Sequence, residues 1–183
     1  MMPPFAELPA PLPGVRLLEP SLFRDERGTF VKIYHEEAFS SMGVHFAWRE
    51  EYYSISQRGV LRGMHFQVPP AEHSKLIYCS RGRVLDVLLD LRLDSATFAR
   101  SAGLELSAAN RRVLFIPSGL AHGFLSLEDD STLVYKTSTV HSPEHDAGIR
   151  WDSFGFNWDV TAPVLSTRDV AFPSMSDFKS PFA

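Results

Sequence analysis

The stretch GVLRGMHFQVPPAEHSKLIYCSRGRVLDVLLDLRL, residues 59–93, contains three apolar runs separated by turn signals. The runs are VLRGMHFQ (60–67), KLIYCS (75–80) and VLDVLLDLRL (84–93), and the turn signals between them include PP and RGR. Each run has the length of a β-strand, and none of them has the 3.6-residue period of an amphipathic helix. Because the strands follow one another without an intervening helix, the stretch predicts an antiparallel sandwich or barrel.

Runs of the same kind continue through most of the chain. HEEAFSSMG (35–43) is predicted to form a short helix, and SGLAHG (118–123) to form a turn. The first fourteen residues and the tail after Pro163 are predicted to be extended. Without repeats or a low-complexity linker, residues 1–183 are predicted to form a single all-β domain. The remaining predicted strands are VRLLEPSLF (15–23), TFVKIY (29–34), AWREEYYSIS (47–56), ARSAGLELS (99–107), RVLFIP (112–117), FLSLE (124–128) and TLVYKTSTVHS (132–142).

The strand predicted at 84–93 has two different faces, because successive side chains of a strand point in opposite directions. One face is entirely apolar, and the other carries two carboxylates. A carboxylate that faces a core must be paired. The two sets are Leu85, Val87, Leu89 and Leu91 on the apolar face, and Val84, Asp86, Leu88 and Asp90 on the other.

The composition argues against two classes of partner. The 183 residues carry a formal net charge of −4 and no block rich in lysine or arginine, so neither nucleic acid nor an anionic membrane is a predicted partner. The N-terminus lacks the apolar segment of a signal peptide, and no apolar run has the length of a membrane span. Cys79 is the only cysteine and is predicted to be a small core residue. These features predict a soluble protein of the cytoplasm.

Arg62 and His65 are the first candidate functional residues. Three positions apart on one strand, they point to opposite faces unless Gly63 introduces a bulge. A lone histidine is more often a core residue than a catalytic one. Further polar residues on strand-like runs favour a functional site, because a barrel directs the inward residues of several strands into one cavity. Those residues are Lys75, Asp86, His122 and Tyr135.

Motifs for metals, nucleophiles and phosphate loops find little support. Metal-binding β-barrels often use an H-x-H pair, but the corresponding stretch of this chain is HFQ, and Gln67 is a poor ligand. His141 and His145 are four residues apart in a predicted loop. The chain contains neither a G-x-S-x-G elbow nor a G-x-G-x-x-G or Walker motif. We therefore expect no metal or other cofactor, and we expect side chains such as Arg27, Arg62 and Lys75 to hold any phosphate. Taken alone, Arg27 is better explained as a residue of the RDERG turn than as a phosphate-binding residue.

Seven stretches together resemble the nucleotide-sugar 3,5-epimerases of the dTDP-4-dehydrorhamnose 3,5-epimerase type. They run from about residue 20 to residue 175 and cover nearly all of the chain. RGMHFQ, IPSGLAHGF and the later YKT are specific in combination, although each alone is a weak signal. The seven stretches are FRDERGTF, GVLRGMHFQVPP, KLIYCSRGRVLDVLLDLR, SATF, IPSGLAHGFLSL, YKTSTVHSPEHDAGIRW and APVLSTRD.

The resemblance implies a cupin-type jelly-roll barrel that needs no metal and acts as a homodimer, in which an N-terminal segment reaches the other subunit. The implied substrate is a 4-keto-6-deoxyhexose joined to a nucleoside diphosphate. Its C4 ketone makes the hydrogens at C3 and C5 acidic. A base removes one of them as a proton and leaves an enolate, and an acid returns a proton to the opposite face.

The resemblance also implies roles for single residues. His65 matches the base, Asp169 the carboxylate that orients it, and Tyr135 the acid on the other face. Lys75 matches a residue that stabilises the C4 oxyanion, and Asp86 would support the site from inside the barrel. The residues implied to contact substrate, or for Arg27 substrate or the dimer interface, are Arg27, Lys32, Glu50, Tyr52, Arg62, Gln67, His122, His141, Glu144 and Arg168.

Several positions depart from the family pattern. Lys32 stands where the family usually has a glutamate, Glu50 replaces a glutamine, and Tyr52 replaces an asparagine; in the family these positions surround the nucleoside. Either Lys32 and Glu50 pair with each other, or the base is not thymine but another, such as that of CDP. His141 replaces a tyrosine near the sugar, so inversion at C3, at C5 or at both carbons is left open.

Three other functions compete with an epimerase. A nucleotide-sugar 3,4-ketoisomerase would also use a histidine base, but RGMHFQ followed by a distant YKT fits the epimerases better. A non-catalytic carbohydrate-binding jelly roll would have no need for a base, an acid and a lysine together. A metal-dependent oxygenase is disfavoured by the HFQ sequence.

Overall fold

The structure is a computed structural model that describes residues 4–45 and 47–183, and all of its strands and helices belong to those residues. Almost all of its regular structure is β-strand. The strands are β1 (Phe5–Leu8), β2 (Arg16–Pro20), β3 (Leu22–Asp25), β4 (Gly28–Val31), β5 (Glu50–Ser56), β6 (Leu61–Gln67), β7 (Lys75–Arg81), β8 (Arg83–Asp90), β9 (Ser101–Ser107), β10 (Val113–Ile116), β11 (Leu120–Ser126), β12 (Ser131–Thr137) and β13 (Asp146–Gly148). The helices are α1 (Glu36–Ser41) and α2 (Thr167–Val170).

Two antiparallel sheets face each other. One has the strand order β1-β2-β10-β7-β12-β5, and the other has the order β13-β6-β11-β8-β9. The strands β3 and β4 form a separate hairpin. Side chains from both large sheets share one buried cluster, which includes Ile77 and Leu133 from the first sheet and Leu88 and Phe124 from the second. The prediction of an all-β jelly-roll barrel with short helices is confirmed. Of the predicted extended N-terminal segment, residues 1–3 lie outside the described part, Phe5–Leu8 form β1, and residues 11–14 form a turn.

The two faces of β8 point in the predicted directions. Val84 and Leu88 belong to the cluster between the sheets, and Asp86 lies fully buried among them. Val87 and Leu89 point outward, where they pack in a second cluster against the C-terminal part of the chain. Both faces of this strand are therefore covered.

Each large sheet has an outer cover. Trp158 and Phe182, from the C-terminal part of the chain, pack on the five-stranded sheet. On the six-stranded sheet, Phe39 of α1 packs against Phe5 in an edge-to-face contact with ring centroids 5.3 Å apart. Neither helix is long or apolar enough to cross a membrane, within the described part of the chain.

Three local predictions were wrong. The run 15–23 divides into β2, which pairs with β1 and β10, and β3, which pairs with β4. The predicted turn at 118–123 belongs largely to β11, because Leu120–Gly123 pair with β8 and His122 also pairs with β6 on the other side. The tail after Pro163 is not wholly extended, since Ser166 caps the helix α2 by accepting a hydrogen bond from the backbone N–H of Asp169.

A β-bulge at Gly63 changes the direction of the β6 side chains. His65 lies opposite His122 and Arg62 opposite Phe124, so three steps along β6 match two steps along β11. Gly63 has a φ of +128°, which suits glycine. The strands approach so closely that a Cβ on Gly123 would lie 2.8 Å from the Arg62 carbonyl oxygen. The bulge brings Arg62 and His65 to the same cavity.

We expect Gly123→Ala to lower the free energy of unfolding by about 1–3 kcal/mol, because the added methyl group meets backbone atoms that cannot move aside. Chemical denaturation measures the change. Gly103→Ala is the matched control, since its Cβ would meet the ring of Phe156, a side chain that can shift. A Gly123→Ala protein as stable as the Gly103→Ala protein would contradict this account of the bulge.

Candidate active site

Two connected cavities lie between the sheets and share Tyr52, His65 and Lys75. The first chamber has a volume of about 340 Å³ and is also lined by Glu50, Gln67, His73, Thr139, His141, Asp146 and Arg168. The second chamber has a volume of about 190 Å³ and is also lined by Ser54, Arg62, His122 and Tyr135. Most of the polar residues singled out in the sequence therefore surround one continuous space.

His65 and Asp169 form the pair at the junction of the chambers. The distance from His65 Nε2 to Asp169 Oδ1 is 2.7 Å, and Asp169 Oδ2 accepts a hydrogen bond of 3.2 Å from the backbone N–H of Gly63. Burial lowers the pKa of His65, although Asp169 raises it. Burial would raise the pKa of Asp169, but His65 and the Gly63 N–H hold it below its ordinary value. At neutral pH the pair is a carboxylate and a neutral imidazole, whose Nδ1 carries the lone pair.

Lys75 begins β7 and points into both chambers. Its Nζ donates a hydrogen bond of 3.1 Å to the backbone carbonyl of His65. Burial lowers the pKa of Lys75 to about 8, against the raising effect of the carboxylates of Asp86 and Asp146. Lys75 is thus a buried ammonium next to the His65–Asp169 pair at neutral pH.

Tyr135 stands on the opposite sheet from His65. Its hydroxyl group lies 3.3 Å from Ser54 Oγ, and its ring stacks on that of Tyr52 with centroids 4.8 Å apart. Burial raises the pKa of Tyr135, so its phenol stays protonated at neutral pH. Burial, together with the charges of Glu50 and Asp146, raises the pKa of Tyr52 to about 12.

His122 and Asp86 form a second histidine–carboxylate pair. The distance from His122 Nε2 to Asp86 Oδ2 is 2.7 Å, and both side chains are buried. Burial raises the pKa of Asp86, although His122 and Lys75 lower it. This pair fixes the orientation of the His122 ring in the wall of the second chamber.

The Arg62 side chain bonds to β5, the edge strand of the six-stranded sheet. Its Nε donates to Ser56 Oγ at 3.0 Å and its Nη2 donates to the Ile55 carbonyl at 3.3 Å. Arg168 forms an ion pair of 2.5 Å with Asp146 and lies over the ring of Phe172. Two guanidinium groups are therefore available around the chambers.

Glu50 and Gln67 bond to the loop that carries His141. Glu50 Oε2 accepts a hydrogen bond of 2.6 Å from the backbone N–H of His141. Gln67 Oε1 accepts one of 2.6 Å from the Ser142 N–H, and Gln67 Nε2 donates one of 2.6 Å to the Ala71 carbonyl. Both side chains line the first chamber, but the structure gives them a role in positioning this loop.

Three predicted substrate-binding residues lie away from both chambers. Arg27 is in the β3–β4 turn and pairs with Asp25, with 3.1 Å between Arg27 Nε and Asp25 Oδ2. Lys32 follows the same hairpin, and no ion pair of the described residues joins it to Glu50. Glu144 is exposed on the loop before β13. In a single chain these side chains do not line the chambers.

Sequence reasoning did not single out several polar residues that line the chambers. They are Ser54, His73, Thr137, Thr139 and Asp146. Strand alternation offers a signal for two of them, because Ser54 is two positions from Tyr52 and His73 is two positions from Lys75. Within the described ranges 4–45 and 47–183, no three His, Cys, Asp or Glu side chains are arranged to hold a metal ion.

Comparison with known proteins agrees with this geometry. The family model described as dTDP-4-dehydrorhamnose 3,5-epimerase matches residues 9–177. The chain belongs to this family. Within the family, the dTDP-4-dehydrorhamnose 3,5-epimerase of Shigella flexneri is 40% identical over 162 residues, which cover 87% of this chain and 90% of that protein. The predicted resemblance is confirmed, and the protein is an isomerase of the sugar-epimerase type.

Solved structures of epimerases share the fold closely. The dTDP-4-dehydrorhamnose 3,5-epimerase of Bacillus anthracis, solved with TDP and pyrophosphate bound, has a TM-score of 0.91 and 37% identity, and the match covers 93% of this chain and 99% of that one. A 3'-monoepimerase of Streptomyces bikiniensis, in complex with dTDP-quinovose, has a TM-score of 0.86 and 32% identity, with 92% and 87% covered. Both a two-carbon and a one-carbon epimerase therefore share this architecture.

We expect Asp169→Asn to lower the pKa of His65 further, because the carboxylate that favours the imidazolium is removed. An NMR titration of the histidine ring carbons measures this pKa. Asp152→Asn is the matched control, since Asp152 is an exposed carboxylate that pairs with Arg150. An unchanged His65 pKa in the Asp169→Asn protein would show that the two residues are not coupled in solution.

Proposed function

We propose that the protein inverts both C3 and C5 of a dTDP-linked 4-keto-6-deoxyhexose. One observation carries the proposal. The His65–Asp169 pair lies on the five-stranded sheet side, Tyr135 lies on the six-stranded sheet, and Lys75 points between them. The approximately 40% identity with a named 3,5-epimerase supports inversion at two carbons.

Proton abstraction is the role of His65. Because Nε2 bonds to Asp169, the ring donates its N–H there and keeps the lone pair on Nδ1. Nδ1 takes the proton from C3 or C5, and the electrons of the broken C–H bond move through the adjacent carbon to O4. Asp169 stabilises the imidazolium that forms.

Lys75 stabilises the enolate. The negative charge that develops on O4 is favoured by a buried ammonium, because charges interact strongly where water is excluded. Its hydrogen bond to the His65 carbonyl fixes Lys75 next to the base. The same group serves both carbons, since the enolates at C3 and at C5 share O4.

Tyr135 returns a proton from the other side of the ring. Its phenol is protonated at neutral pH because burial raises its pKa. The enolate electrons return from O4 to the carbon, which takes the proton of the Tyr135 O–H group. The phenolate then regains a proton from solvent and the His65 imidazolium releases one, so that both groups are reset for the second carbon. Because acid and base belong to opposite sheets, the new C–H bond forms on the face opposite to the one that lost its proton.

The diphosphate and the nucleobase of the substrate are bound by other side chains. Arg62 and Arg168 are the guanidinium groups that line the chambers and suit a diphosphate. Glu50 already accepts a hydrogen bond from the His141 N–H, so its carboxylate is used in positioning this loop. The presence of Glu50 therefore does not imply a nucleobase other than thymine. We therefore favour dTDP over CDP.

A one-carbon epimerase is the second candidate function. His141 lines the first chamber in place of the tyrosine common in the family, and the 3'-monoepimerase of Streptomyces bikiniensis has the same fold. A 3,4-ketoisomerase and a carbohydrate-binding protein are less well supported, since neither explains a base and an acid on opposite walls.

We also propose a homodimer in which the β3–β4 hairpin binds the second copy. All but one of its residues are exposed, and Phe23 and Phe30 are 62% and 61% exposed and contact each other. A lone hairpin with exposed aromatic rings is marginally stable in water and marks an interface. In the dimer this hairpin would carry Arg27 and Lys32 toward the partner's chambers.

Light scattering should give a molecular mass of twice the chain mass of 20.6 kDa. Phe30→Ser should reduce the measured mass to that of a single chain and should abolish activity.

The compartment and domain organisation are part of the same proposal. A reducing cytoplasm suits the free, buried thiol of Cys79. Residues 1–183 act as one domain, since the C-terminal part supplies Asp169 to the barrel.

We expect the protein to exchange the C3 and C5 hydrogens of dTDP-4-keto-6-deoxyglucose for deuterium in heavy water, as followed by proton NMR. His65→Asn should slow the exchange about 10²–10⁴-fold, because the general base is lost. Tyr135→Phe should retain deprotonation but slow product formation. Exchange at one carbon would identify a one-carbon epimerase, and CDP-linked sugar used in preference would identify a different carrier. Wild-type exchange in the His65→Asn protein would exclude His65 as the base.

We expect kcat/KM to stay high from below about pH 6.5, the ordinary pKa of histidine, up to about pH 8. The His65 pKa lies below its ordinary value, so the rate falls only when acid protonates the base. The Lys75 pKa is about 8, so the rate falls above that pH as the ammonium is lost. Lys75→Arg, which stays charged, should remove the alkaline decline even if its rate is lower. An alkaline decline that persists in Lys75→Arg would assign it to another group.

A further inference from the structure

His73 lines the first chamber and has no role in the proposed mechanism. Both of its ring nitrogens, Nδ1 and Nε2, are shielded from solvent, and neither has a hydrogen-bond partner among the described residues. Buried polar atoms are almost always paired, and an unpaired one costs free energy. Inside the first chamber, these two nitrogens can pair with groups that enter the cavity, whether water or a polar group of the substrate.

The backbone directs His73 to the same side as Lys75. Ser74 pairs with Ser138 through hydrogen bonds of 2.9 Å to Ser138 Oγ and 3.1 Å between the Ser138 N–H and the Ser74 carbonyl. This pairing continues the antiparallel contact of β7 with β12, so the chain is extended and residues two apart share a face. His73 therefore lies two residues before Lys75 on the same face of the strand, next to the group proposed to stabilise O4.

The imidazole of His73 is neutral. Burial lowers its pKa to about 3, and the neighbouring ammonium of Lys75 acts in the same direction. A neutral imidazole has one N–H donor and one lone-pair acceptor. An anion or a carbonyl group can pair only with the N–H of the ring, because it has no proton to donate. A hydroxyl group, which both donates and accepts, can satisfy either nitrogen or bridge to a second group.

We propose that His73 binds a secondary hydroxyl group of the hexose ring, at C2 or C3, and selects substrates that carry it. These hydroxyl groups are on the side of the ring between the C4 ketone and the nucleotide linkage, which matches a residue beside Lys75. The proposal rests on the proposed function, because it takes the hexose to occupy the chambers with O4 at Lys75.

The test compares three proteins on three substrates. Wild type, His73→Leu and His73→Gln are assayed with dTDP-4-keto-6-deoxyglucose and with its analogues that lack the C2 or the C3 hydroxyl group, through deuterium exchange at C5. We expect His73→Leu to lower kcat/KM about 10- to 100-fold on the full substrate, mainly through KM, whereas His73→Gln, with an amide donor and acceptor, stays within a few-fold. For wild type, kcat/KM on one of the two analogues should be lower than on the full substrate by the same factor. On that analogue, His73→Leu should be no slower than wild type.

The controls separate binding from folding and from failure of the proposed function. His45→Leu changes an exposed histidine outside the chambers and should behave as wild type. Thermal unfolding shows whether His73→Leu retains its fold. The comparison of the two analogues with wild type needs no substitution and so does not depend on how a variant folds. His73→Leu activity equal to wild type, or an equal loss on all three substrates, would overturn the role of His73. Absence of exchange by wild type on every substrate would instead overturn the proposed function.

Discussion

The hydrogen bond between His65 and Asp169 connects parts of the chain that are 104 residues apart, and the arrangement of the site depends on it. His65 reaches the cavity because the bulge at Gly63 turns β6, and Asp169 reaches His65 because α2 lies beside that strand. The same carboxylate also accepts the Gly63 N–H, so it holds the bulge as well as the ring. The backbone of the bulge and the proposed catalytic base are therefore held by the same carboxylate.

Burial of polar residues between two sheets is the second feature that organises the molecule. Lys75, Asp86 and His122 are all buried, and each is paired or lies beside an opposite charge. Such groups are costly in an apolar core unless they are satisfied. In this protein they occupy one side of the space between the sheets, while the other side is closed by aliphatic residues such as Leu88 and Leu133. The site is in effect a polar portion of the core.

The sequence predicted the larger strands because their length, turn signals and alternation are local properties. It did not predict β13 or the separation of the hairpin, since these depend on which strand is available for pairing. Alternating polar positions pointed to Lys75, Asp86 and Tyr135, whereas Asp169 was found only through the family resemblance. Ser166 and Asp169 have the spacing of a helix cap, a signal that could have indicated α2. The unpaired state of His73 required the structure, because no local pattern shows which side chains lack partners.

The placement of the proposed base, His65, and the proposed acid, Tyr135, on two different sheets has a consequence for stereochemistry. Packed sheets lie about 10 Å apart, and that spacing is maintained by the volume of the side chains between them. The width of the gap between His65 and Tyr135 is thus a property of the whole sandwich, and aliphatic core residues such as Leu106 and Leu114 help to set it. A substitution that changes core volume therefore changes the distance between His65 and Tyr135 even when both residues are retained.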